Sequence, residues 1–285
     1  MHWAIPFLAF LFVAGGASAG PVPFSPEASA ELDAEEQRLE AERHLQLEPP
    51  DLVEARRWLE AAAENGSVEA MGAVGWLYEQ GLGVEPDADK ALGYYANAYE
   101  SGENEYGLRI GWMFIQGMGL EPDQAAGEAW FRRVIEERND SAGRLALASV
   151  MVSDATTNVR PERGTQARDL LVEALQDGVT EAAFYLAQIY MEGVGNLAAD
   201  PAGAVHYTRI GAEAGIPEMQ AWLATLHAQG EQVARDLIEA HKWATLAASG
   251  GHPSGEQMRR EIANHLTERE LAEARRRALE WINER

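Results

Sequence analysis

Apolar residues recur along this chain at helical spacing, in short runs that each end near a glycine. The clearest run sets Ala55, Trp58, Leu59, Ala62 and Ala63 on one face with polar residues between them. It predicts a helix over 55–64 closed by Gly66, because glycine takes a left-handed backbone without a Cβ clash. The next run predicts a second helix over 69–78, ended by Gly81-Leu82-Gly83. Pro86-Asp87 and Pro122-Asp123 restart the chain, and Asp200-Pro201 reads as an N-cap followed by proline at the first helical position.

The two-helix unit repeats. Its anchors return as Ala91, Tyr94, Ala98, Gly102, Gly111-Trp112 and Gly117-Met118-Gly119, then as Ala167, Leu170, Ala174, Gly178, Tyr190 and Gly193-Val194-Gly195. Further copies carry Ala204, Tyr207, Gly211, Gly215, Trp222 and Gly230, then Ala240, Trp243, Ala247 and Gly251. A degenerate copy with Gly127, Trp130, Val134 and Ala142 has Arg138 where the others have glycine. One such unit cannot bury its apolar face alone, and stacking closes a continuous core. The expected fold is therefore all-α, a right-handed α-α superhelix (solenoid) of about six two-helix repeats: 51–86, 87–122, 123–160 (degenerate), 161–199, 200–236 and 237–266. Small residues at 62, 70, 98, 182 and 247 should let paired helices approach closely, and Tyr78, Phe114, Val150, Tyr190 and His227 should fill the seams between copies.

Both ends depart from the repeat. Residues 20–50 read as a flexible lead containing Pro21, Pro23 and Pro26, then an N-terminal capping helix. Eight acidic residues face two basic ones over 27–48. Thr267 and Glu270 form a capping box that opens a C-terminal capping helix over 267–285, with Leu271, Ala274, Ala278, Leu279, Trp281 and Ile282 on one side. Ahead of all this, residues 1–19 carry an apolar stretch from Phe7 to Val13 and end in Ala17-Ser18-Ala19, the small-x-small pattern of a signal peptide cut after Ala19. An uncleaved anchor is the alternative. No later segment approaches the length of a membrane span, so the expected location is periplasmic or secreted.

Composition narrows the function. The 285 residues hold 23 Lys and Arg against 46 Asp and Glu, a formal net charge of −23, which disfavours binding to nucleic acid. A partner is expected to be basic or apolar. There is no cysteine, which removes disulfides, thiolate metal sites and a cysteine nucleophile in a chain expected to be exported.

The pattern Ala-x-x-Trp/Tyr-x-x-x-Ala-Ala-Glu-x-Gly, then Glu-Ala, Gly-x-x-Tyr and Gly-x-Gly-Val, resembles the Sel1-like repeat, a relative of the tetratricopeptide repeat. Residues 51–86 and 87–122 carry it best. The resemblance implies a non-enzymatic scaffold or regulator in the bacterial cell envelope, binding another protein or a peptide segment on the concave face. A secreted hydrolase or ligand-binding enzyme on a repeat scaffold, and a secreted host-interaction factor, stand as alternatives. The cysteine-rich, disulfide-bridged branch of the family does not fit a chain without cysteine.

The chain has no His-Glu-x-x-His motif, no Gly-x-Ser-x-Gly elbow and no phosphate-binding Gly-Lys-Ser/Thr. The Gly-x-Gly triplets recur once per copy at helix ends, as turn formers do. No catalytic residue, metal ligand or cofactor is assigned. By analogy with tetratricopeptide arrays the first helices line the concave face, which makes Tyr95, Tyr99 and Phe131 a candidate aromatic patch. Arg56 and Arg168 would be donors for a partner's carboxylate. The alternative is that these aromatics pack between neighbouring first helices. The Trp58, Tyr94, Trp130, Tyr207 and Trp243 series is expected to be core.

Overall fold

A computed structural model describes residues 20–157 and 159–284, so the expected signal segment 1–19 lies outside the described residues. Among these the regular structure is helical, apart from one isolated bridge between Val194 and Leu197. The described residues form two compact units, the first ending at Asp140 and the second beginning at Ser141.

The first unit holds α1 (Pro26–Ala30) and α2 (Ala34–Leu45), the pairs α3 (Leu52–Glu64) with α4 (Val68–Gln80) and α5 (Ala88–Glu100) with α6 (Asn104–Gln116), and finally α7 (Gln124–Arg138). The second opens with α8 (Ser141–Thr156) and continues with α9 (Arg163–Gln176) and α10 (Ala182–Glu192), α11 (Pro201–Ala214) and α12 (Pro217–Gln229), α13 (Leu237–Ser249) and α14 (Gly255–Ala263), then α15 (Glu268–Asn283). Within each unit the consecutive helices α2 to α7 and α8 to α14 pack on one another, as a stack of two-helix repeats must, and α15 packs on α13.

Local chemistry sets the boundaries. Asp87, Asp123, Asp200 and Asp236 sit in extended backbone as N-caps, and the Asp87 carboxylate accepts from the Lys90 N–H at 3.0 Å. Helix α3 begins earlier than its apolar pattern does, because Asp51 caps it and accepts from the Glu54 N–H at 3.1 Å. Gly66 turns the chain with φ 94°, as expected. Arg138 in the degenerate copy is still helical. The left-handed position falls one residue later on Asn139, with φ 51°, and asparagine tolerates that region better than most residues.

The small residues do what their spacing suggests. Ala62, Ala70, Ala98, Ala182 and Ala247 are all fully buried. Glycines of the second helices receive rings from the next first helix. A Cβ on Gly75 would come within 2.6 Å of Tyr95 Cε1, and one on Gly111 within 2.3 Å of Phe131 Cε1. The capping box at Thr267 is present, and its bonds hold the Glu270 carboxyl below the usual carboxylate range.

Two expectations about the ends are corrected. On α15, Ala274 and Ala278 are buried and Trp281 packs on Trp243, but Leu279 and Ile282 are exposed, because the helix lays only one edge on α13. The proline-containing lead is not loose. Residues 20–25 lie against α2 and α3, held by hydrogen bonds to the main chain of Val22 and Phe24.

Candidate functional site

Each first helix carries two bulky positions side by side, the Trp/Tyr anchor and the residue after it. The residue after the anchor is the core one: Leu59, Tyr95, Phe131, Leu171, Thr208 and Ala244 are all buried. The candidate patch is therefore corrected. Tyr95 is 2% exposed, and Tyr99 and Phe131 are fully buried. Tyr95 and Phe131 point at the glycines of the preceding second helix, and Tyr99 lies against Gly107. The Tyr95 hydroxyl donates to Glu79 Oε2 at 2.9 Å, and burial followed by the Glu79 charge pushes its pKa well above the ordinary value. Arg109 Nε donates to the same carboxylate oxygen at 2.9 Å and its NH2 pairs with the other. The Tyr99 hydroxyl donates to Glu137 Oε2 at 2.8 Å. These rings hold the stack together and present no surface.

The Trp/Tyr anchors, expected in the core, are only half-buried at Tyr94, Trp130 and Tyr207, as is Leu170 at the same register. In the first unit Tyr94 stacks on Tyr78 with centroids 6.0 Å apart and planes 11° apart. Arg56 lies beside the pair. Its NH1 donates to Glu60 Oε1 at 2.6 Å, and the Tyr78 hydroxyl donates to that same oxygen at 2.7 Å. Lys90 Nζ sits 4.8 Å from the Tyr78 ring centre. Burial, then the charge of Glu60, pushes the Tyr94 pKa up to about 12.

The second unit repeats the device. Tyr207 stacks on Tyr190 at 5.5 Å and 8°, and burial raises the Tyr207 pKa. Arg168 holds the register position of Arg56 and bonds Asp169 Oδ1 through Nε at 2.9 Å and NH2 at 2.6 Å. That bond raises its pKa first, with the two tyrosines contributing behind it. Arg56 and Arg168 each lie near a stacked tyrosine pair; the Arg56 side chain is 16% exposed and paired with Glu60, and that of Arg168 is 30% exposed and paired with Asp169. The sequence held one unused sign of these pairs: Tyr78 and Tyr190 share a seam register, with a tyrosine anchor following each.

The two end anchors are covered by the chain's own caps. Trp58 is fully buried beneath Phe24, whose ring meets it edge-on at 5.2 Å. Trp243 is 4% exposed beneath Trp281, at 6.2 Å and 72°. A glutamate stands four residues before each: Glu54 accepts from the Phe24 N–H, and Glu239 accepts from Arg277 NH1 at 2.6 Å. The remaining anchors have Lys90, Ala126, Gln166 and Gly203 at that place. The only two lysines of the chain, Lys90 and Lys242, each lie over a ring of this system, Lys242 at 4.3 Å from Trp243. Among the described residues no group of three or more His, Asp or Glu side chains is placed to hold a metal ion. No described helix is long and apolar enough to cross a membrane.

Comparison with known proteins agrees with this architecture. A Sel1 repeat protein from Oxalobacter formigenes is 23% identical over 73% of this chain and 83% of its own, with a TM-score of 0.55. The protective antigen c5321 of uropathogenic Escherichia coli, with an SLR fold, is 20% identical over 90% of this chain and 62% of its own, with a TM-score of 0.44. Immunity protein Pa5087 from Pseudomonas aeruginosa is 15% identical over 81% of this chain and 85% of its own, with a TM-score of 0.46. No curated protein sequence matches. The Sel1 repeat family model matches residues 43–67, 68–103, 107–137, 180–216 and 217–252. More than half of the chain is thus built of this unit, the segments from 68 onward each spanning a second helix and the first helix that follows it, and the chain belongs to the Sel1 repeat family.

Proposed function

We propose that this chain is a non-enzymatic scaffold of the bacterial cell envelope, exported after cleavage behind Ala19, that docks another protein on its uncovered anchors. A Sel1 repeat stack is suited to protein–protein interaction, since its rigid helix pairs present a preformed surface. The observation that carries the reading is the recurrence of one device. A half-buried tyrosine stacked on a second tyrosine, with an arginine near it, occurs at Arg56/Tyr78/Tyr94 and again at Arg168/Tyr190/Tyr207. Tyrosine and arginine are the residues that dominate binding energy at interfaces. Both end anchors are already covered by an aromatic ring from a cap, so a partner's apolar or aromatic side chain would find the same kind of seat on Tyr94 and Tyr207. The net charge of −23 favours a partner whose docking surface is basic around that apolar centre.

The test is capture from envelope extract by the wild type, Tyr94→Ala, Tyr207→Ala and the buried control Tyr95→Phe. Loss of one partner set with both alanine variants and its retention with Tyr95→Phe is expected. Equal yield from all four chains refutes the assignment. Mass spectrometry of the envelope fraction should find a chain beginning at Gly20. A chain confined to the cytoplasm contradicts the export reading.

A further inference from the structure

Residues 20–25 lie on α2 and α3 as a bound peptide would. We infer that this surface is a second binding site, distinct from the tyrosine pairs, for proline-flanked apolar segments of other proteins, with the chain's own strap as its displaceable occupant.

The site reads backbone. The Val22 N–H donates to Glu40 Oε2 at 3.1 Å, and the Val22 carbonyl accepts from Trp58 Nε1 at 2.9 Å and from His44 Nε2 at 2.8 Å. The Phe24 N–H donates to Glu54 Oε2 at 2.6 Å. Four side chains thus satisfy the main chain of two residues. The Val22 side chain is 41% exposed, so its identity matters little. Pro21 and Pro23 bring no N–H of their own to satisfy, and each biases the residue before it toward extended backbone. One side chain is read, the Phe24 ring seated edge-on against Trp58. The ligand chemistry follows: an extended segment with prolines on both sides of one free peptide unit, and an aromatic residue two positions later. Recognition of pre-extended proline-rich segments by polar and aromatic side chains is an established mode of peptide binding.

Two of the receptor's carboxylates are held without the strap: Glu40 is paired with Arg43, and Arg57 NH1 holds Glu54 Oε1 at 2.8 Å. The strap, by contrast, has no regular secondary structure and no fully buried residue. Segments of that kind open locally at far lower cost than the core beneath them. A competing segment therefore has to displace only the strap, which acts as a tethered ligand at an effective concentration of about millimolar.

The experiment uses the full chain and a fluorescein-labelled synthetic peptide of residues 20–25 as the probe, read by anisotropy. Phe24→Ala weakens the strap in place, and that chain should bind the probe on the order of tenfold tighter than the wild type. Val22→Pro, which removes the N–H that Glu40 accepts and keeps the carbonyl, should act in the same direction and serves if the first variant does not fold. In the Phe24→Ala background, Trp58→Phe keeps a ring but loses the indole donor, and should weaken probe binding about fivefold. Tyr94→Ala in that background should leave it unchanged, which separates this site from the proposed partner face. Equal affinity of wild type and strap-weakened chains, no saturable binding at about 1 mM, or dependence on Tyr94 overturns the inference.

Discussion

Replacing Glu79 by alanine removes the acceptor around which three helices of the first unit are tied. The Glu79 side chain is 3% exposed on α4, and it takes the Tyr95 hydroxyl from α5 and both Nε and NH2 of Arg109 from α6. The substitution leaves a guanidinium that is 23% exposed without its carboxylate and a hydroxyl in a 2% exposed tyrosine without an acceptor. Breaking a buried ion pair from one side costs about 3–5 kcal/mol, against about 1 kcal/mol for the single neutral hydrogen bond lost in Tyr95→Phe. The pair Glu79→Leu with Arg109→Leu removes both charges together and should fall within about 2 kcal/mol of wild type. Urea titration followed by circular dichroism and tryptophan fluorescence measures the three differences, with the m-value checked for constancy. If Glu79→Ala costs no more than Tyr95→Phe, or the double variant is as unstable as the single charge deletion, the carboxylate is not the node described here.

Three further outcomes are expected. Gly111→Ala drives a methyl group into the Phe131 ring, at 2.3 Å from Cε1, and should lower stability by about 1–3 kcal/mol in the same titration. Gly93→Ala, in α5 with nothing within 4 Å of the new Cβ, should instead raise stability by about 0.5–1 kcal/mol. His241 is fully buried, its Nε2 has no partner, and burial followed by the charges of Arg259 and Arg275 lowers its pKa. Because the folded value lies below the ordinary 6.5, the folded state resists protonation, and stability should fall as pH drops through and below that value. The His241→Leu chain should lack this component, so equal pH slopes in the two chains would refute it.

Much of the fold was legible because the repeat is written in residues with strict backbone demands. The aspartate N-caps, the left-handed glycines and the fully buried alanines at 62, 70, 98, 182 and 247 each follow from local chemistry. The degenerate copy was legible too, except that Asn139 does the work of the missing glycine. The strap was not, since what holds Val22 comes from Glu40, His44 and Trp58, far along the chain, and no local pattern joins them.

The candidate site was misplaced for a physical reason. Adjacent residues on a helix are about 100° apart, and the apolar stripe of a packed helix is at least that wide. Periodicity therefore cannot say which of Tyr94 and Tyr95, or of Trp130 and Phe131, points into the core. The opposing surface decides it. An aromatic ring turned into this seam needs a facing position with no side chain, and Gly75 and Gly111 supply it to Tyr95 and Phe131, within distances that even a methyl group would violate. No such gap faces Tyr94 or Tyr207, so each is left to lie flat on the tyrosine of the preceding second helix with part of its ring in solvent. The glycines that build the seam thereby also determine which aromatics remain at the surface. Filling Gly75 should for that reason disturb the tyrosine pair of the first unit as well as its stability, whereas Gly93→Ala should change stability alone.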